Sequence, residues 1–176
     1  MYKLFVFSLL VFVLSSCGNS ENQGGQTPAA IENTPSTTES TVTGYTQEVL
    51  KNPSFDLSEG WALSNPSVYS SEGKSVKVSA TNIATQAVAV VPGEKYKLEA
   101  SARATKPGSL MRLQVNWLNE KGGMVSADIE PFECTGDFST YTKYVVVPAG
   151  AIAGVVYASG HASGDEVEYA SLSFSK

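Results

Sequence analysis

Histidine and cysteine are scarce in this sequence. Its 176 residues contain one histidine, His161, and two cysteines, Cys17 and Cys134, which is too few for the Cys and His clusters that bind structural zinc. No stretch matches a serine nucleophile elbow or a glycine-rich phosphate loop. Charged residues make up 16% of the chain, and the formal net charge is −5. This mild acidity argues against nucleic acid as a partner.

Long apolar runs are also lacking, except at the start. Lys3 precedes the apolar segment 4–14, whose eleven residues are too few for a helix across a hydrocarbon core of roughly 30 Å. Such a segment is typical of a signal peptide. Leu14-Ser-Ser-Cys17 resembles the bacterial lipobox, in which the cysteine is acylated and becomes the first mature residue. We therefore predict a lipoprotein signal peptide at 1–16 and a lipid anchor on Cys17. The alternative is an ordinary secretory signal.

The composition divides the remaining chain into two parts. Residues 17–45 are rich in Ser, Thr, Asn, Gln, Gly and Pro, so they bury too little apolar surface to fold and are predicted to form a disordered tether. Residues 46–176 are predicted to form one folded domain. Gly18 follows the lipidated cysteine where aspartate would indicate retention in an inner membrane. If the cell is Gram-negative, the resemblance to the lipobox points to the outer membrane. The expected location is the outer membrane or cell surface, with the membrane reached through the acyl anchor.

Helical periodicity is absent from the predicted domain, and short alternating segments replace it. After the turn Pro92-Gly93, Tyr96, Leu98 and the next two alternate residues are apolar, while Lys97 and its alternate neighbours are polar. Period-two alternation is typical of a half-buried antiparallel strand. About ten such strands are predicted, and their spacing predicts an all-β antiparallel sandwich or barrel. The predicted strands are 47–51, 61–64, 68–70, 75–80, 84–91, 95–104, 110–119, 141–147, 154–159 and 167–174.

A series of short motifs carries a resemblance to a known family. The motifs, in order, are Asn52-Pro-Ser-Phe-Asp56, Gly60-Trp61, Glu72-Gly-Lys74, Ser75-Val-Lys-Val78, the segment 86–98, Val115-Asn-Trp117, Phe138-Ser-Thr-Tyr141 and Val147-Pro-Ala-Gly-Ala151. Together they resemble the jelly-roll carbohydrate-binding modules grouped around families 4, 9 and 22. The resemblance implies two packed sheets, a sugar-binding sheet face or sandwich edge, and often a structural calcium ion. Phe138 stands where the family usually has tryptophan.

The strand 110–119 contains the leading candidates for ligand binding. Arg112, Gln114 and Asn116 alternate with an apolar row that ends at Trp117, so only one of the two rows belongs to the core. Planar Arg, Gln and Asn groups hydrogen-bond sugar hydroxyls. Tyr144 and Tyr157 are predicted to supply an aromatic platform from neighbouring strands. The alternative for the polar row is an ordinary solvated face. Trp61 and Trp117 are predicted to be core residues.

The resemblance implies that calcium joins the N-terminal loop to the last strand. By motif position the ligands would be Asp56, the carbonyl groups around Asn52 and Lys74, and Glu168. Glu168 alternates with apolar residues, so we place it on the apolar face, where a carboxylate needs a partner or a metal. Here Glu168-Tyr169 stands where the family usually has an Asp pair. The alternative is a hydrogen-bonded glutamate at the rim of the sheet.

Three functions are compatible with the sequence. The favoured one is a non-catalytic surface lipoprotein that binds a poly- or oligosaccharide. The second is a structural or adhesive lipoprotein in an envelope or filament assembly. The third is a small polysaccharide lyase or hydrolase that would use Tyr157, His161 and a carboxylate, although no carboxylate pair can be placed across a cleft. Cys134 is interpreted as an inert half-buried thiol. We therefore expect a binding module rather than an enzyme.

Overall fold

A computed structural model describes residues 44–56, 59–65, 68–70 and 74–176, and within these ranges it contains nine β-strands and no α-helix. The strands are β1 (Ala62–Leu63), β2 (Val76–Val78), β3 (Ala84–Ala89), β4 (Lys95–Ala104), β5 (Leu110–Leu118), β6 (Met124–Glu133), β7 (Ser139–Val146), β8 (Ala153–Gly160) and β9 (Val167–Ser175). The predicted signal peptide, Cys17 and most of the predicted tether lie outside the described residues. Among those described, no helix has the length and apolar character needed to span a membrane.

The nine strands form two sheets. The order is β1-β3-β8-β5-β6 in the five-stranded sheet and β2-β9-β4-β7 in the four-stranded sheet, and all paired strands are antiparallel. This confirms the predicted all-β sandwich. Two predicted strands are reduced to isolated bridges, which join Glu48 to Ser175 and Tyr69 to Val76.

The apolar rows of the two sheets meet in one core. Leu98 on β4 and Phe174 on β9 are fully buried, as are Leu113 and Trp117 on β5. The rings of Trp117 and Phe174 come from different sheets, and their centroids lie 6.3 Å apart. The predicted alternation on β4 and β5 is therefore confirmed, and Trp117 is a core residue as expected.

The turn at Pro92-Gly93 joins the two sheets. Glu94 N–H donates to the carbonyl of Val91 at 3.2 Å, and Gly93 has φ +83°, a conformation that favours glycine. The segment before the turn belongs to the five-stranded sheet and the segment after it to the four-stranded sheet. This turn therefore passes the chain across the edge of the sandwich.

Strand β6 was not predicted from the sequence. It lies at the edge of the five-stranded sheet and pairs with β5 on one side. Most of its side chains are exposed on both faces, so it lacks the period-two hydrophobic pattern by which strands are recognised. Pro131 lies within it, and proline in a sheet is tolerated on edge strands.

A register shift in β9 overturns the predicted orientation of Glu168. Ser101 pairs with Ser171 and Ala102 pairs with Tyr169, so Ala170 is an extra residue in β9. A bulge of this kind reverses which alternate positions face the core. Tyr169 therefore points inward before the bulge, as Leu172 does after it. Glu168 lies on the outer face of the four-stranded sheet, and its predicted position on the apolar face is wrong.

Candidate functional site: the outer face of the five-stranded sheet

The polar row of β5 lies on the outer face of the five-stranded sheet. Met111, Leu113, Val115 and Trp117 are fully buried against the core, so the alternate residues point the other way. Gln114 pairs with Tyr157 on β8, and Arg112 pairs with Ser159. The structure therefore brings together four of the five predicted ligand-binding residues. We call Arg112, Gln114, Asn116 and Tyr157 the polar row.

The amide groups of the polar row form a short hydrogen-bond chain. Gln114 Nε2 donates to Asn116 Oδ1 at 2.7 Å, and Asn116 Nδ2 donates to the hydroxyl of Tyr157 at 3.1 Å. Gln114 is only 6% exposed, and its Oε1 has no hydrogen-bond partner within the described part of the chain. A buried acceptor without a partner costs free energy. The chain of bonds holds the three side chains in one arrangement on the outer face.

Arg112 is fixed beside this chain by a residue that the sequence analysis missed. Its Nε donates to Ser159 Oγ at 2.8 Å, and Ser159 is fully buried. Ser159 lies two residues after Tyr157 on β8, so period-two spacing from Tyr157 was the available signal. The hydrogen bond holds the guanidinium group of Arg112 over β8, next to Ser159.

A second missed residue supports Arg112 from the core side. The buried Tyr169 hydroxyl donates to the carbonyl of Ser159 at 2.9 Å and lies 3.2 Å from the carbonyl of Arg112. Burial raises the pKa of Tyr169 far above its ordinary value, so the hydroxyl remains a neutral donor. It therefore links the four-stranded sheet to the β5–β8 pair directly beneath the Arg112 side chain.

Tyr144 is not part of the polar row. It lies on β7, in the four-stranded sheet, and its ring packs against Tyr45 with the centroids 5.4 Å apart. The prediction that Tyr144 lies on a strand next to Arg112 is therefore wrong. Alternation correctly identified Tyr144 as outward-facing, since it is 58% exposed, but alternation does not tell which sheet a strand joins.

The side chains predicted to bind calcium have other partners. Glu168 Oε1 accepts from Ser75 Oγ at 2.6 Å, and Oε2 accepts from Arg103 Nη2 at 2.7 Å. Burial alone would raise the pKa of Glu168, but the hydrogen bonds from Ser75 and Arg103 and the charges of Arg103 and Lys77 hold it below its ordinary value. A guanidinium group already balances this carboxylate, so Glu168 does not fit a calcium ligand here.

The N-terminal loop is closed by its own hydrogen bonds. Asp56 Oδ2 accepts from Ser54 Oγ at 2.6 Å, and the carbonyl of Asn52 accepts from Trp61 Nε1 at 3.0 Å. Lys74 is exposed. Across the described ranges, no three His, Cys, Asp or Glu side chains form a group that could hold a metal ion. The calcium site therefore remains a prediction, without support from Glu168.

The remaining candidate reactive side chains are Cys134, which is buried, and His161, which is half-buried in the loop after β8. Cys134 is 5% exposed, and burial raises its pKa, an effect only partly opposed by a hydrogen bond with Tyr141. A thiol with a raised pKa is a poor nucleophile. In the loop after β8, where His161 lies, the carboxylate of Asp165 accepts the backbone N–H groups of Ala162 and Leu110 at 2.7 and 3.1 Å. That carboxylate organises the loop.

The fold is similar to that of solved carbohydrate-binding modules, whereas the sequence alone has no match. No family model and no curated protein matches the sequence. A xylan-binding family 22 domain from Paenibacillus barcinonensis Xyn10C is similar in structure, with a TM-score of 0.54 and 13% identity, over 75% of this chain and 96% of that one. A family 4 carbohydrate-binding module is similar with a TM-score of 0.51 and 13% identity, over 72% and 98%.

A similar fold also occurs within a larger chain that has enzymatic activity. The enzymatically active domain of tailspike protein 4 from bacteriophage CBA120 is similar with a TM-score of 0.53 and 15% identity, over 72% of this chain. The similarity covers 21% of the tailspike chain. At these identities the likenesses concern the fold alone. The chain has the β-sandwich jelly-roll fold of carbohydrate-binding modules.

Proposed function

We propose that this protein binds a poly- or oligosaccharide on the outer face of its five-stranded sheet and that it is not an enzyme. The observation that carries the proposal is the row of guanidinium, amide and hydroxyl groups on the outer face of β5 and β8, linked by the hydrogen bonds of Gln114, Asn116 and Tyr157. Amide and guanidinium groups suit the in-plane hydrogen bonds of sugar hydroxyls. The half-buried ring of Tyr157 adds an apolar surface for sugar CH groups.

The fold of the neighbours supports the same proposal. The solved structures with this sandwich include a domain described as xylan-binding, and a xylanase chain of family 22 and GH10 modules that is complexed with xylohexaose. Xylan and xylohexaose are ligands of those proteins. For this chain, the location of the binding site is proposed from its own residues, and the sugar is to be identified by screening a glycan array.

Replacing Tyr157 with alanine is expected to weaken binding to the best ligand from a glycan array by roughly tenfold or more, because a central aromatic contact and the end of the amide chain are lost together. Tyr144→Ala is the matched control, since it removes an exposed tyrosine from the opposite sheet. Isothermal titration measures both affinities. Equal losses for the two variants, or a loss for Tyr144→Ala alone, would move the site away from the polar row.

We further propose that the mature protein is anchored to the outer membrane or cell surface by acyl groups on Cys17, as the lipobox-like Leu14-Ser-Ser-Cys17 indicates. Mass spectrometry of the N-terminal peptide from the native host should show a diacylated, N-acylated Cys17 as the first residue. Cys17→Ser should release the protein from the membrane fraction. Cleavage at another residue, or an unmodified Cys17, would contradict the anchor.

A further inference from the structure

The guanidinium group of Arg112 has no acidic partner within the described residues. The chain contains two arginines, and they differ in this respect. Arg103 forms an ion pair with Glu168 at 2.7 Å. Arg112 instead uses its Nε in a hydrogen bond to the neutral Ser159 Oγ. Its two Nη groups therefore keep unused donors beside the proposed sugar site.

The acidic side chains of the adjacent edge strand form no ion pair with Arg112 within the described residues. Asp128 and Glu130 lie on the other face of β6, where Lys143 approaches them to 3.7 and 3.3 Å. Glu133 alternates onto the outer face but forms no ion pair with Arg112. In the described part of the chain, Arg112 is thus a cation without an ion-pair partner, on a face where Glu133 is the neighbouring carboxylate of β6.

This arrangement suits one class of sugar in particular. A guanidinium group binds a carboxylate through two parallel hydrogen bonds, and such charged bonds are stronger than those to hydroxyls. Ser159 already holds Nε, so the Nη pair is left for this contact. We propose that Arg112 binds the carboxylate of a uronic acid unit, so that the ligand is an acidic polysaccharide. This inference rests on the proposed function, because the amides of the polar row would bind the hydroxyls of the same sugar chain.

The net charge of the protein opposes unspecific binding of such a polymer. The chain carries a formal charge of −5, so its overall field repels a polyanion rather than collecting it. Binding of a polyuronate therefore requires a local cationic site. General attraction between opposite charges does not account for it.

The test compares each acidic polysaccharide with its own carboxyl-reduced form. Purified protein is titrated with polygalacturonate, alginate and glucuronoxylan and with the three reduced polymers, which keep the backbone but lack the charge. At least one native polymer should bind roughly tenfold or more tightly than its reduced form, the scale of a hydrogen bond to a charged group. Arg112→Gln should remove this difference, so that the native polymer and its carboxyl-reduced form bind this variant with affinities within about twofold of each other.

Two further variants test whether binding needs the planar guanidinium group and whether it needs the positive charge at position 112. Arg112→Lys keeps the charge but lacks the planar fork, so it should recover only part of the preference. Lys95→Gln removes one exposed charge from the four-stranded sheet and should change nothing. The thermal unfolding temperature of each variant confirms that it is folded.

The outcomes separate the uronate assignment from sugar binding in general. Equal binding of native and reduced polymers would overturn the uronate assignment and leave sugar binding intact. A preference that persists in Arg112→Gln would also overturn it, as would tight binding of sulfated dextran with no binding of any polyuronate. If no glycan in an array and none of these polymers binds, the proposed function itself fails.

Discussion

Replacing Trp117 with alanine is expected to lower the free energy of unfolding by about 3–5 kcal/mol, the usual cost of truncating a large buried aromatic side chain. Trp117 is fully buried and lies against Phe174 of the opposite sheet. A methyl group added at Gly154 would come within 3.1 Å of its Cζ3 atom, so the indole ring fills its space closely. Urea unfolding followed by circular dichroism measures the change.

Tyr144→Ala is the control for this experiment as well. Its side chain is 58% exposed on the outer face of the four-stranded sheet, and such a change is expected to cost less than about 1 kcal/mol. Trp117→Phe separates the loss of volume from the loss of the hydrogen bond that Trp117 Nε1 donates to Asp128 at 2.8 Å. A cost below about 1 kcal/mol for Trp117→Ala would contradict its position in the core.

Replacing Glu168 with alanine is expected to destabilise the domain at neutral pH by about 1–3 kcal/mol, the cost of leaving a buried hydrogen-bonding group without its partner. The carboxylate side chain is 8% exposed, whereas Arg103 is 40% exposed, so water partly replaces the lost partner of Arg103. The loss of the bond from Ser75, which is itself buried, adds to the cost. Chemical denaturation measures the free energy of unfolding of both proteins.

The contribution of Glu168 should also depend on pH in one direction. Its pKa is lower in the folded protein than in the unfolded chain, so its carboxylate stabilises the fold fully at pH values above the unfolded pKa, roughly 4.3. As the pH falls below that value toward the folded pKa, the stabilisation is lost. Wild-type and Glu168→Gln stabilities should therefore differ by a constant amount above about pH 5.5 and converge in acid.

The exposed ion pair between Glu94 and Lys176 provides the matched control. Its nitrogen and oxygen atoms lie 3.0 Å apart, and its side chains are 39% and 41% exposed. Exposed pairs contribute about 0–1 kcal/mol, so Glu94→Gln should change stability little at any pH. A constant difference between wild type and Glu168→Gln from about pH 3 to 7 would show that the Glu168 carboxylate does not stabilise the fold by its charge.

Alternation within a strand was predictable from the sequence because one side of each inner strand faces the core. On β5 this placed Arg112 and Asn116 on the outer face, as the structure confirms. The same argument failed for Glu168, because the extra residue Ala170 reverses the alternation and leaves no mark in the hydrophobic pattern. One inserted residue changes every orientation beyond it.

Periodicity within a strand does not predict which strands pair with each other or which sheet a strand joins. Tyr144 and Tyr157 both lie at outward positions, yet β7 and β8 belong to different sheets. Strand β6 was missed because an edge strand exposed on both faces has no apolar row. The support of Arg112 by Tyr169 joins residues 57 positions apart in the chain, and no local pattern predicts such a contact.

The start of the described chain lies on the opposite side of the sandwich from the polar row. Tyr45 packs on Tyr144, and the backbone of Thr46 and Gln47 bonds to Lys176 at the end of β9. The first described residues and the face around Arg112 therefore lie on different sheets of the sandwich. If the proposed anchor and the proposed sugar site are both correct, a long polymer with repeated binding units contacts many neighbouring copies, and each later contact forms at a high effective concentration. In that case the anchored protein should retain a polymer by avidity, more strongly than the affinity of one domain in solution allows.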